Sequence, residues 1–164
     1  MSTKDAHIRT ACPSDLPAVN RILDEVRAVH HALRPDLFRP AGKKYTDAEL
    51  LALFACPETP VFVYEDGGAV LGYIFCAVQE TGTESGSGAL QSVKTLYIDD
   101  LCVEASARGQ GIGTRLFHFA EDYARSLGCH NLTLHLWEGN PAAAFYAAQG
   151  LRPQYTALEL VLDA

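Results

Sequence analysis

The chain has no basic block, no long apolar run and no paired-cysteine spacing, and each absence removes a class of function. Lys and Arg number 13 against 20 Asp and Glu, for a formal net charge of −7. Proteins that grip nucleic acid present a basic footprint to the phosphates, so nucleic acid is not an expected partner. The longest apolar stretch, residues 69–78, is interrupted by Gly72 and is far too short to span a bilayer, so no membrane partner is expected. The first ten residues, MSTKDAHIRT, hold no apolar signal-peptide core. The five cysteines, Cys12, Cys56, Cys76, Cys102 and Cys129, are odd in number and lack a CxxC pair. Free thiols in a reducing compartment are expected, and with them a cytoplasmic location. There is no internal repeat.

What is present suits one globular domain spanning residues 1–164. The chain has 164 residues, 48% hydrophobic and 20% charged, enough to bury most of its apolar surface. The acidic balance is compatible with a cationic substrate, although acidity also serves solubility.

Residues 8–11 read as a short strand. Ser14 is placed to cap a helix whose apolar face is Leu16, Val19, Leu23, Val26 and Leu33, ended by Arg34-Pro35-Asp36. Thr46-Asp47-Ala48-Glu49 has the reciprocal capping pattern that opens a second short helix to about Ala55. Residues 61–64 and 69–79 form strands around the Gly67-Gly68 turn. Residues 81–92, rich in Gly, Ser and Thr, read as a mobile loop before a strand over 94–103. Ile112, Leu116, Phe119, Ala120, Tyr123 and Leu127 mark a helix stopped by Gly128. A strand over 132–137, a helix opened by Asn140-Pro141 and closed by Gly150, and a final strand over 155–161 complete the order. The fold class is a mixed α/β (α+β) sheet with a right-handed parallel crossover from residue 96 to 137. Asp99 and Asp100 should point to opposite faces of their strand.

The most informative segment is Arg108-Gly109-Gln110-Gly111-Ile112-Gly113. It joins a strand to a helix start, where backbone N–H groups lack intrahelical partners and point at an anion. The Gly-Lys-Ser/Thr ending of a P-loop is absent, which disfavours a nucleoside triphosphate, and the glycine spacing is wrong for a dinucleotide fold.

The segment Tyr97-Ile98-Asp99-Asp100-Leu101-Cys102-Val103, then Arg108-x-x-Gly111-x-Gly113, then Trp137-Glu138-Gly139-Asn140, then Ala144-Phe145-Tyr146-x-x-x-Gly150-Leu151, resembles the GCN5-related N-acetyltransferase (GNAT) superfamily. The likeness is strongest over residues 94–152. The resemblance implies a splayed central sheet flanked by helices, with acetyl-CoA between two diverging parallel strands over residues 94–151. It places the acceptor site against residues 1–56. It implies backbone contacts from Leu101, Cys102 and Val103 to the pantetheine arm, with Val103 able to donate to an oxyanion. Arg108, Gly109, Gln110, Gly111, Ile112, Gly113 and Thr114 would hold the pyrophosphate, which agrees with the anion-binding geometry of that turn. The Arg108 side chain either adds a charge there or lies on the surface. Asn140 would contact the cofactor arm while also capping its helix. Tyr146 would be the general acid for the departing thiolate; its other role is a core aromatic.

The resemblance leaves the general base open. Asp99 comes first, then His135, Asp100 and Glu138, while Tyr97 is a poor base near neutral pH. His30 and His31 read as a helix-end pair near the negative end of the dipole, and no metal cluster is evident. The expected activity is direct acetyl transfer from acetyl-CoA to a primary amine, on a small molecule or a protein, with no metal. The alternative is a CoA-binding module that has lost chemistry. Dimers are common among proteins of this kind, so a homodimer is an expectation.

Overall fold

The computed structural model of the chain describes residues 6–82 and 89–162. Five strands form one sheet in sequence order: β1 (His7–Thr10), β2 (Val61–Asp66), β3 (Ala69–Thr81), β4 (Val93–Val103) and β5 (Asn131–Leu134). The first three pairings are antiparallel and the last, β4 with β5, is parallel. Helices α1 (Leu16–Leu33), α2 (Asp47–Ala55), α3 (Ile112–Ser126) and α4 (Ala143–Ala148) flank it. The mixed sheet and the strand–helix–strand crossover agree with the sequence reading. Of the expected mobile loop, residues 83–88 lie outside the described residues.

Both faces of the sheet are covered, which is why β2 is buried along Val61-Phe62-Val63-Tyr64 rather than alternating with polar residues. On one face, Phe62, Tyr64, Ile74, Leu96 and Ile98 meet Ile112, Leu116, Phe117 and Ala120 of α3. On the other, Val61, Val63, Tyr73 and Phe75 meet Val19, Ile22 and Leu23 of α1 and Leu50 of α2. Gly72 is required where β3 crosses α3: a Cβ there would stand 3.0 Å from the Cys102 carbonyl oxygen and 3.2 Å from Leu116.

Local signals set the element ends. The Glu49 N–H donates to Thr46 Oγ1 and the Thr46 N–H donates to Glu49 Oε2, so the α2 capping box is present. Gly128 stops α3 at φ +69°. Ser14 does not cap α1. A single 3-10 turn, Pro13–Asp15, precedes the helix, and the Asp15 carboxylate closes the entry by accepting from the Cys12 N–H at 2.8 Å. Arg9 of β1 clamps the same carboxylate with two bonds, at 2.7 and 2.8 Å, and reaches Glu65 of β2. That guanidinium holds Asp15 below the ordinary carboxylate value, against the opposing effect of burial.

Three expectations fail. β5 ends at Leu134, short of residue 137, and α4 begins at Ala143, after a turn at Asn140. The closing strand over 155–161 does not form: residues 151–162 have no regular secondary structure. Their apolar residues carry a strand-like pattern, but the chain leaves the sheet and finds no strand to pair with.

Candidate active site

The site is built beyond the end of β5. The pairing of β4 with β5 runs from Thr95 opposite Asn131 to Ile98 opposite Leu134 and stops. Residues 99–103 continue β4 with β3 alone beside them, so one edge of their backbone faces an opening. The register against β3 shifts at the same place: Phe75 faces Asp100, while Cys76 faces Ile98. Asp99 is the extra residue of a β-bulge, and a bulge re-aims the side chains around it.

The bulge overturns the expected opposite facing of the two aspartates. Before it, Leu96 and Ile98 pack toward α3; after it, Leu101 and Val103 do. The parity of the strand has changed, and Asp99 and Asp100 both turn toward one ammonium, that of Lys44. The Lys44 Nζ donates to Asp99 at 3.1 Å and lies 3.6 Å from Asp100. The Tyr45 hydroxyl also donates to Asp99, at 2.7 Å, and Tyr45 stacks on Phe75. The Tyr73 hydroxyl donates to Asp100 at 3.1 Å.

Burial orders these charges. Asp100 is 8% exposed, and desolvation raises its carboxyl above the ordinary value although Lys44 and the Tyr73 hydroxyl oppose that rise. Burial also disfavours the Lys44 ammonium, but Asp100 and Asp99 overcome it and leave the lysine more basic than usual. His30 of α1 feels the same group. Burial lowers its pKa, Asp100 partly restores it, and Lys44 lowers it further. The net effect favours the neutral imidazole.

The glycine turn opens α3 as expected. Gly109 and Gly111 both take φ +78°, and nothing lies within 4 Å of where a Cβ would project from either. Gly111 is the N-cap of α3 and supplies no side-chain cap. The first N–H groups of a 15-residue helix are therefore left for a ligand. Gly113 is helical and sits at a seam, its Cβ position 3.6 Å from Phe145 and 3.7 Å from Val103. Gln110 is exposed and Thr114 half-buried at the mouth of this turn. The Arg108 side chain lies on the surface, 55% exposed. It donates to Glu25 of α1 at 2.7 Å and to the Val103 carbonyl at 3.0 Å.

Tyr146 projects from α4 into the α3 side of the core. Burial raises its pKa, and Asp100 and then Cys102 add to the rise, so the phenol stays protonated. Cys102 is itself buried, and its thiol is pushed up to about 12. Asn140 accepts from the Ala142 N–H at 2.9 Å and so turns the chain into α4.

His135 and Glu138 follow β5 and are exposed. Both His135 ring nitrogens meet phenols, Nδ1 with Tyr97 at 3.3 Å and Nε2 with Tyr155 at 2.8 Å. His135 thus joins the site through Tyr97, whose phenol pKa is raised by burial and by Asp99 and lowered in part by Lys44. Among the described residues, no group of three or more His, Cys, Asp and Glu side chains could hold a metal ion.

Sequence reasoning missed Lys44, Tyr45 and Tyr73, and read His30 only as one of a helix-end pair. Lys44 and Tyr45 lie between the first two helices, where no periodicity flags a residue. Tyr73 sits within an apolar run. His30 has helical spacing from Val19, Leu23 and Val26, and that spacing could have placed it on the inward face.

Comparison with known proteins agrees with this architecture. Residues 26–151 match the model of the acetyltransferase (GNAT) family. The chain is 26% identical over 137 residues to a Bos taurus thialysine N-epsilon-acetyltransferase, covering 83% of this chain and 72% of that protein. It is 31% identical over 77 residues to the chloroplastic GCN5-related N-acetyltransferase 6 of Arabidopsis thaliana, covering 47% of this chain and only 24% of that protein. Among solved structures, a mutant of the BH1408 protein from Bacillus halodurans superposes with TM-score 0.89 at 29% identity, over 95% of this chain and 99% of that one. A Trypanosoma brucei acetyltransferase shares the fold, with TM-score 0.68 at 22% identity over 96% of this chain and all of that one. Among the described residues no helix is long and apolar enough to cross a membrane. The mixed sheet, the glycine turn that opens α3 and the match over residues 26–151 lead to one conclusion: the chain belongs to the GNAT acetyltransferase family.

Proposed function

We propose that the chain transfers an acetyl group from acetyl-CoA directly to a primary amine that binds as its ammonium. The observation that carries this reading is Lys44. Its alkylammonium already rests between Asp99 and Asp100, on a carboxylate whose charge reaches Tyr146. A site that holds one alkylammonium by two carboxylates and a tyrosine frame suits another.

In this reading the N–H groups at the start of α3 and along residues 108–111 receive the pyrophosphate. Backbone dipoles do this work, because Arg108 is engaged with Glu25. The open edge of Leu101, Cys102 and Val103 receives the pantetheine arm, with Asn140 across the cleft. The Val103 N–H is assigned to the oxyanion.

The two carboxylates bind the ammonium and, by the same attraction, oppose its deprotonation. Burial offsets this at Asp100: its raised pKa narrows the gap the proton must cross. We assign Asp100 as proton acceptor and Asp99 as the outer anchor of the ammonium. Tyr146 gives its proton to the departing thiolate. Cys102 stands close by, but burial keeps it a thiol, and a thiol is a weak nucleophile; this favours direct transfer over an acyl-enzyme.

Tyr146→Phe tests the assignment. Acetyl-CoA should still bind, while turnover falls by about 10²-fold or more. Wild-type protein that binds acetyl-CoA but never consumes it, with Tyr146→Phe indistinguishable from it, would instead mark a CoA-binding module without chemistry.

A further inference from the structure

Lys44 comes from the irregular stretch between α1 and α2. Among the described residues, no backbone-to-backbone hydrogen bond involves residues 39–45. The side chain is held by the site instead. Its Nζ donates to Asp99 at 3.1 Å, lies 3.6 Å from Asp100 and stands 5.2 Å from the centre of the Tyr45 ring. Two neighbouring cases show the contrast. The Lys43 Nζ pairs with Asp47 on the surface, its side chain 55% exposed. The Lys94 Nζ donates to the Leu127 carbonyl.

In the reaction proposed above, the place beside Asp99 and Asp100 is where an amine meets the acetyl donor. The Lys44 amine has the charge, the alkyl stem and the proton acceptor that the reading gives to an incoming alkylammonium. It is also tethered, so its effective concentration there exceeds that of a free amine. The two carboxylates make Lys44 more basic than usual. That slows its loss of a proton, as it would for any ammonium held in the same place.

Resting on that reading, we propose that Lys44 is itself an acceptor: without a free amine the chain acetylates its own Lys44, and the modification opens the site. The Nζ gives one proton to Asp100, and its lone pair forms the C–N bond to the thioester carbonyl carbon. The C–S bond breaks, and the departing thiolate takes the Tyr146 proton. The second proton shed by the new amide nitrogen returns to Tyr146. The products are acetylated Lys44, the CoA thiol and one proton, which Asp100 passes to water.

The product no longer suits its place. Acetylation removes the charge, and with it both ion pairs and the cation–π contact. The new carbonyl oxygen would face carboxylates that it cannot bond. Tyr45 keeps its own hold, through its hydroxyl on Asp99 at 2.7 Å and its ring on Phe75. The frame therefore stays while the Lys44 side chain withdraws, and both carboxylates are left for a free amine.

The test incubates the full chain with acetyl-CoA and no amine and locates acetylated lysines by peptide mass. The protein, freed of acetyl-CoA, is then titrated by calorimetry with n-butylamine, the chemical equivalent of the lysine side chain. Lys44 should gain one acetyl group at a rate independent of protein concentration and at least about tenfold above that of Lys43 beside it. Tyr146→Phe should slow acetylation of Lys44 and leave that of Lys43 unchanged. The acetylated chain should bind n-butylamine about tenfold more tightly than the untreated chain. Equal rates at Lys43 and Lys44, or an unmodified Lys44 in protein that turns over added amines, would overturn the proposal and leave the amine acetyltransferase reading standing. A rate that rises with protein concentration would overturn it too, since one molecule would then be acetylating another. Unchanged n-butylamine binding after full acetylation would overturn the opening of the site. Acetyl-CoA consumed neither by Lys44 nor by added amines would overturn both readings.

Discussion

Lys44 occupies the place that the proposed reaction gives to its acceptor. Its ammonium lies 3.1 Å from Asp99 and 3.6 Å from Asp100, so an incoming ammonium must displace it or share its carboxylates. Lys44→Met removes the competing charge and leaves the stem to pack. Acceptor KM should fall about tenfold, corresponding to ~1.4 kcal/mol, with kcat within a factor of about two. Initial rates across acceptor concentrations give the split; a raised acceptor KM would mean that Lys44 helps bind the acceptor rather than competing with it. None of this was legible from residue types. Asp99, Asp100 and Tyr146 could be named as candidates because they sit in or beside motifs, whereas Lys44 and His30 join the group only through the fold.

The elements that matter most for binding are the glycine turn and the bulge. Gly111 takes φ +78° with nothing within 4 Å of where a Cβ would stand, the open space that the proposed reading gives to the pyrophosphate. A side chain there is strained by roughly 1–2 kcal/mol and fills that space. Gly111→Ala should therefore lower stability by about 1 kcal/mol and raise KM for acetyl-CoA by about tenfold. Gly113→Ala, helical and meeting Phe145 only at ordinary contact distance, should stay within about threefold of the wild type in the same assay. Equal effects of the two substitutions would detach the turn from donor binding. This turn was legible in the sequence because its signal is local: glycines, a strand before and a helix after. The α2 capping box was legible for the same reason. The bulge was not. Residues 94–103 read as one continuous strand, and the parity change at Asp99 appears only in the register against β3. Strand alternation, applied without it, put the two aspartates on opposite faces.

At the scale of the whole molecule, the mixed sheet followed from the order of periodic segments, and the glycine turn fell between a strand and a helix as expected, whereas Trp137 and Asn140 fell outside β5 and α4. The closing strand failed for a complementary reason. Residues 155–161 have the composition of a strand, but a strand needs a neighbour, and among the described residues this segment pairs with none. The charge of −7 enters at this scale too. In the proposed reaction, an acidic molecule with Asp99 and Asp100 at its site would draw cationic acceptors and give no such help to neutral ones. The most direct measurement is release of free CoA thiol from acetyl-CoA, with primary alkylamines compared against alcohols of the same chain length and the acetylated product identified by mass. The account predicts one CoA released per N-acetyl product with the amines, and no turnover above background with the alcohols. Acetyl-CoA that binds but is never consumed by any amine, or alcohols turned over as readily as amines, would contradict it.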